Sequence, residues 1–165
     1  MAVSSDRVLG LTTALVAALA LGIAHGSESW GGLVPCALCL WERWPYRIVA
    51  GLGFLAAIWP GKPARAAFGL TAIAMLAGTV LGAIHVGVEF HWWPSPLPQC
   101  AAPKFSGGGS IADMLARMPA APAKPCDDPT YLLRGLPVSM AQMNLILATA
   151  FSTFAFWATI RRPRA

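Results

Sequence analysis

The sequence predicts an all-α integral membrane protein, a four-helix bundle with both termini cytoplasmic and two loops on the opposite side. Three observations carry that reading. The chain has 165 residues, one domain's worth, of which 56% are hydrophobic and only 12% charged; soluble domains run nearer ~45–50% apolar and ~25% charged. Four apolar runs approach the ~20 residues a helix needs to cross a bilayer core. The basic residues fall unevenly about those runs, and cytoplasmic loops are the ones that collect Lys and Arg.

The first run, Val8–Ala24, is uncharged. Arg7, an apolar core and "AHG" also fit a cleaved signal peptide. The three later runs need an even partner to close a bundle, so the span is placed at about 8–25. A Gly/Ser-rich turn, "GSESWGGLVP", begins the first outer loop, about 26–41, with Trp30 as an interface anchor. The second run, Ile48–Trp59, is short alone and reaches spanning length only from about 42 to 59. It then carries Arg43 and Arg47 at its end, where long basic side chains snorkel. "KPAR", Lys62 to Arg65, reads as an inside turn. The third run, about 66–88, is broken only by His85, and the fourth, about 136–160, holds Gln142 and Asn144 near its start.

Between them lies a long outer loop, about 89–135, with eight prolines. Loops of that length are usually functional. Its one periodic patch is "SIADMLARM", where Ile111, Met114, Leu115 and Met118 share a helical face behind a Ser110/Asp113 capping pattern. Such a helix lies flat on the membrane or packs on the mouth of the bundle.

Arg7, Lys62, Arg65, Arg161, Arg162 and Arg164 all fall on one predicted side, with Asp6 as the one acid there. The other six Lys/Arg are diluted in the opposite loops among six acids, so the net charge of +5 sits on the first side. Basic residues distributed this way orient a membrane protein and form no nucleic-acid patch. All four cysteines, Cys36, Cys39, Cys100 and Cys126, then lie outside.

Cys36 and Cys39 form C-x-x-C. A c-type haem needs His after the second cysteine, and Leu40 stands there. Zinc asks for a second close ligand pair, which Cys100 and Cys126 do not form, and no metal site is expected. Two structural disulfides remain an alternative. A C-x-x-C bridge closes so small a loop that it constrains the unfolded chain little, which favours a redox couple. A helix starting near these cysteines would put the positive end of its dipole on the sulfurs. Arg43, four residues after Cys39, would stand on the same face and lower that thiol's pKa. Trp41, Trp44 and Tyr46 either line a flat slot for a lipid-soluble ring or belong to an interfacial belt. His85 faces the same mouth or caps a helix end, and His91 is a weaker loop candidate.

"PCALCLWERWPYR", "PSPLPQC" before Cys100, "KPCDD" around Cys126 and four spans with both ends inside together resemble the DsbB family, bacterial disulfide bond formation protein B. The DsbA–DsbB–quinone system keeps the bacterial periplasm oxidising. The resemblance implies an inner-membrane enzyme with its redox cysteines periplasmic, reoxidising a soluble DsbA-like thiol oxidase and passing electrons to ubiquinone or menaquinone of the respiratory pool. Cys36 and Cys39 would be the quinone-coupled pair, and Cys100 and Cys126 the pair that meets the partner. The partner would attack Cys100, Cys126 would turn to Cys36, and Cys39 would be freed as a thiolate beside the quinone. Arg43 matches the family's quinone-contacting arginine, and His85 is the nearest candidate for its histidine near the end of the third helix. Three alternatives stand beside this: a relative dedicated to one partner, an enzyme like vitamin K epoxide reductase, and a non-catalytic scaffold. The second expects its active pair late in the chain.

Overall fold

The computed structural model describes residues 2–100, 124–133 and 135–160. Within them the chain is helical and contains no strand: α1 (Ala2–Ser29), α2 (Ala37–Trp41), α3 (Arg43–Ile58), α4 (Lys62–Glu89), a 3-10 turn (Pro98–Cys100) and α5 (Met140–Ile160). Three of these helices are long and apolar enough to cross a membrane, over Ser5–Ser29, Lys62–Glu89 and Met140–Ile160. The expected helix over "SIADMLARM" and the basic tail from Arg161 lie outside the described residues.

One spacing organises the packing. On α4 the buried positions Ala64, Phe68, Thr71, Met75, Gly78, Gly82 and His85 alternate steps of four and three. The same rhythm appears at Tyr46, Val49, Gly53 and Ala56 of α3, and at Ala148, Phe151, Ala155 and Ala158 of α5. Such a stripe faces a neighbouring helix along its whole length. Large apolar side chains lie on the other faces, as with Leu11, Leu15, Leu19 and Ile23 of α1, which are all exposed. Small residues inside and large ones outside suit helices surrounded by lipid, where close backbone approach replaces the hydrophobic effect.

The closest approach joins α1 to α3. A Cβ on Gly10 would stand 2.6 Å from Ala57 N, and one on Gly53 would stand 2.6 Å from Ala14 N, so neither helix tolerates a side chain there. Strong packing continues from α3 to α4 and from α4 to α5. Residues of all four long helices meet in one core of Ala17, Tyr46, Val49, Met75, Ala148 and Phe151.

Local signals set the ends. "KPAR" is the first turn of α4 and not a loop, because Pro63 sits where a helix start tolerates proline. The reversal falls instead on Gly61, at φ 88°, whose N–H donates to Asp6 Oδ2 at 2.8 Å. "GSES" likewise continues α1, with the Ser27 and Ser29 hydroxyls donating back to the carbonyls of Ala24 and His25. At α5, Ser139 and Gln142 form a reciprocal capping box (3.0 and 3.2 Å).

Candidate active site

Cys36 is the N-cap of α2, and its Sγ accepts a hydrogen bond from Cys39 N at 3.2 Å. That wrap brings Cys36 Sγ to 2.7 Å from Cys39 Sγ, so a small movement interconverts the dithiol and the disulfide. The hydrogen bond from the Cys39 thiol holds Cys36 below the usual thiol value, against burial. Cys39 is pushed up by the same bond and by burial. Of the two thiols, Cys36 is thus the one favoured as thiolate. Cys39 is raised, where the four-residue spacing to Arg43 called for a lowered thiol.

The second pair reaches the same place from two distant segments. The 3-10 turn ends on Cys100, and Lys124 forms a single parallel bridge with Cys36 that lays the strand-like approach to Cys126 beside it. Cys100 and Cys126 are joined by a disulfide. Cys36, Leu38, Val88, Cys100 and Cys126 form one buried cluster, with Cys39 packed against it. All four cysteines thus meet at one end of the helices. A cleft of ≈ 420 Å³ between His91, Trp93, Pro125 and Asp127 leads from the surface to Cys100. Trp93 lies flat across Gly87 and donates from Nε1 to Ile84 O, and a Cβ on Gly87 would collide with its ring.

His85 is the last position of the α4 stripe and is 97% buried. Its Nε2 stands 3.5 Å from Cys36 Sγ, and its Nδ1 stands 3.0 Å from Glu42 Oε1. Glu42 occupies the break between α2 and α3. Pro45 causes that break, because its ring clashes with the carbonyl of Trp41 and stops α2 there. With Nδ1–H donating to the carboxylate, Nε2 presents a lone pair to the sulfur. Carboxylate, imidazole and thiol make one chain.

Arg43, also buried, turns the other way and forms a two-point ion pair with Glu28 at the end of α1, Nη1 lying 3.1 Å from Oε2. His25 Nδ1 is 3.4 Å from the same Nη1. Beside them is a largely apolar cavity of ≈ 260 Å³ in the seam between α1 and α5, with Cys39, Glu42, Arg43 and Tyr46 at its wall. Tyr46 Oη donates to Asn144 Oδ1 at 2.7 Å, which leaves the buried Asn144 Nδ2 as a donor with no protein partner. Trp41 and Trp44 are each 55% exposed and absent from the cavity wall, and Trp44 stacks under Arg47. Of the three aromatics of the expected slot, only Tyr46 lines it. His91 is exposed, in a left-handed turn (φ 56°), at the edge of the Cys100 cleft.

Glu28, Glu42 and Asn144 were not singled out by sequence. The available signal was general: a carboxylate or amide within an apolar, spanning-length segment is expensive and marks function. What was missing was the partner of each, which only the packing supplies.

Over 142 residues the chain is 27% identical to a protein of Rickettsia prowazekii (strain Madrid E) named uncharacterized protein RP370, covering 86% of this chain and 80% of that one. No solved structure matches. The profile of the family described as disulfide bond formation protein DsbB matches residues 6–158. That stretch takes in both cysteine pairs, His85, Glu42 and every long helix, and the chain belongs to the DsbB family of membrane disulfide-forming proteins.

Proposed function

We propose that this protein is a quinone-dependent thiol oxidoreductase of the bacterial inner membrane, which re-forms the disulfide of a soluble periplasmic DsbA-like oxidase. The observation that carries this reading is the gathering of two cysteine pairs into one cluster, one pair reached from a surface cleft and the other opening on an apolar cavity. We also place α3 as a fourth crossing, with α2 in the loop before it. Both termini are then cytoplasmic and the cysteines periplasmic.

The chain's own groups fit a quinone ring. The cavity lies near the lower end of the ~300–1,000 Å³ usual for small-molecule pockets. Asn144 and Arg43 are among its lining residues, an amide and a guanidinium of the kinds suited to carbonyl oxygens. The quinone supplies, when bound, an acceptor for two electrons and two protons.

In the proposed relay a partner thiolate attacks Cys100 Sγ, breaking its bond to Cys126. Cys126 then attacks Cys36 of the oxidised pair, and Cys39 leaves with the electron pair. While Cys36 is bonded to Cys126, the charge brought by the Cys126 thiolate rests on Cys39 at the cavity wall. The second partner thiol releases the oxidised partner and expels Cys100 as a thiolate, which attacks Cys126, re-forms the Cys100–Cys126 disulfide and releases Cys36, leaving Cys36 and Cys39 as the dithiol. His85, held by Glu42, takes up and returns the proton at Cys36. Glu28 neutralises Arg43 at rest and keeps it aimed at the cavity mouth.

The test mixes the purified protein with a reduced DsbA-type partner and ubiquinone, and follows quinone absorbance. Thiol-dependent quinone reduction is expected, and its absence would leave a scaffold. Cysteine labelling from each side of the membrane tests the orientation; Cys100 reached only from the cytoplasm would reverse it.

A further inference from the structure

The C-x-x-C pair has a third potential ligand that no linear motif contains. Cys36 Sγ, Cys39 Sγ and a nitrogen of His85 lie within 4.8 Å of one another, although His85 is 49 positions from Cys36. We propose that the reduced pair and His85 form a site for a soft divalent cation of the zinc type, which competes with re-formation of the Cys36–Cys39 disulfide.

The distances fit such an ion. Tetrahedral zinc, with bonds of ~2.3 Å to sulfur and ~2.0–2.1 Å to nitrogen, separates a sulfur from a nitrogen ligand by about 3.5 Å and two sulfurs by about 3.8 Å. Cys36 Sγ to His85 Nε2 is 3.5 Å. The two sulfurs, at 2.7 Å, would open by roughly 1 Å through rotation of Cys39, which is only partly buried and borders the cavity.

The surroundings fit too. Glu42 accepts from Nδ1, which leaves Nε2 as the ligand atom, the carboxylate–histidine arrangement that orients metal ligands. Two thiolates and one divalent cation sum to zero charge, so the complete cluster is easier to bury than a single thiolate. The Arg43 guanidinium at the same cavity wall is neutralised by Glu28. The fourth position would open toward the cavity, where water completes the coordination. The ion takes the same sulfur electron pairs that the disulfide needs, so the two states exclude each other. The site needs only the dithiol and His85, whatever acceptor the enzyme uses.

The experiment uses full-length protein carrying Cys100→Ser and Cys126→Ser, so that Cys36 and Cys39 are its only thiols. The reduced form in detergent is titrated with cobalt(II), whose visible spectrum reports tetrahedral thiolate ligation. One equivalent should bind, be displaced by zinc, and fail to bind the oxidised form. His85→Gln should weaken binding at least tenfold and Glu42→Gln by about 10–100-fold, each with its helical circular dichroism intact. If His85→Gln misfolds, Cys39→Ser supplies the same test by losing the thiolate–cobalt bands. No cobalt–thiolate bands in the reduced form, equal binding by the oxidised form, or undiminished affinity in whichever variant folds would overturn the proposal.

Discussion

The two ends of this helical frame are buried by opposite means. Toward the Asp6 end, α1 and α3 touch backbone to backbone at Gly10 and Gly53, and the nearby core is Ala56, Ala64, Ala67 and Phe68. Toward the cysteine end Arg43 ties α3 to Glu28 of α1, and His85 of α4 is held by Glu42 at the head of α3. Small apolar residues give close packing without desolvating anything. Buried ion pairs are a poor way to gain stability, because desolvation offsets most of the attraction. A frame that needed only to stand would use the first method throughout. The Arg43–Glu28 and His85–Glu42 contacts lie at the end where sulfur chemistry needs charge and protons.

That contrast is open to test. Cys39→Ala should have the largest effect, reducing quinone turnover to background while leaving the helical content unchanged, as measured by quinone absorbance and circular dichroism. His85→Gln should slow turnover by about 10²–10⁴-fold, the usual range for losing a proton-transfer group. If the rate held, the imidazole would be structural only. Gly53→Leu should do the reverse. Overpacking costs typically ~1–3 kcal/mol, so thermal stability in detergent should fall while each folded molecule turns over normally.

A subtler test is pH. Because Cys36 is held below the usual 9.0 in the dithiol form, its thiolate absorbance should appear at lower pH than that of an ordinary thiol. Cys39→Ala removes the donor and should move the midpoint back up. The folded state binds fewer protons than the unfolded chain at these pH values. The Cys36 contribution to stability therefore builds up between the lowered value and the ordinary one and is lost as pH falls through the lowered one, while the raised Cys39 thiol opposes it above the ordinary value. Tyr46→Phe should have the smallest effect, about 0.5–1.5 kcal/mol for one hydrogen bond, seen as a slightly lower melting temperature. A large loss of turnover there would extend the functional end further into the frame.

Much of this was legible before any coordinates. Four apolar runs, the lopsided basic residues and C-x-x-C at the head of a helix point to a membrane frame with cysteines at one end. Two kinds of feature were not. Arg43 shares a cavity wall with Cys39, as a four-residue spacing implies, but that spacing says nothing of Glu28, which holds its guanidinium. The partners Glu28–Arg43 and Glu42–His85 join residues far apart in sequence, and no local pattern encodes which carboxylate reaches which cation. Asn144 and His85 lie in line with the three-and-four stripes of their helices. A reader following those stripes would have met an imidazole and an amide among positions that are mostly apolar.

The seam between α1 and α5 has a kinetic consequence. The outer faces beside it are apolar, and strong packing joins the first and last helices only by way of α3 and α4. A ligand dissolved in hydrocarbon would then arrive sideways from the lipid and never from bulk water. Its driving concentration is its mole fraction in the bilayer. Diluting a fixed amount of quinone with inert phospholipid should slow a reconstituted enzyme, although the molarity in the cuvette stays the same.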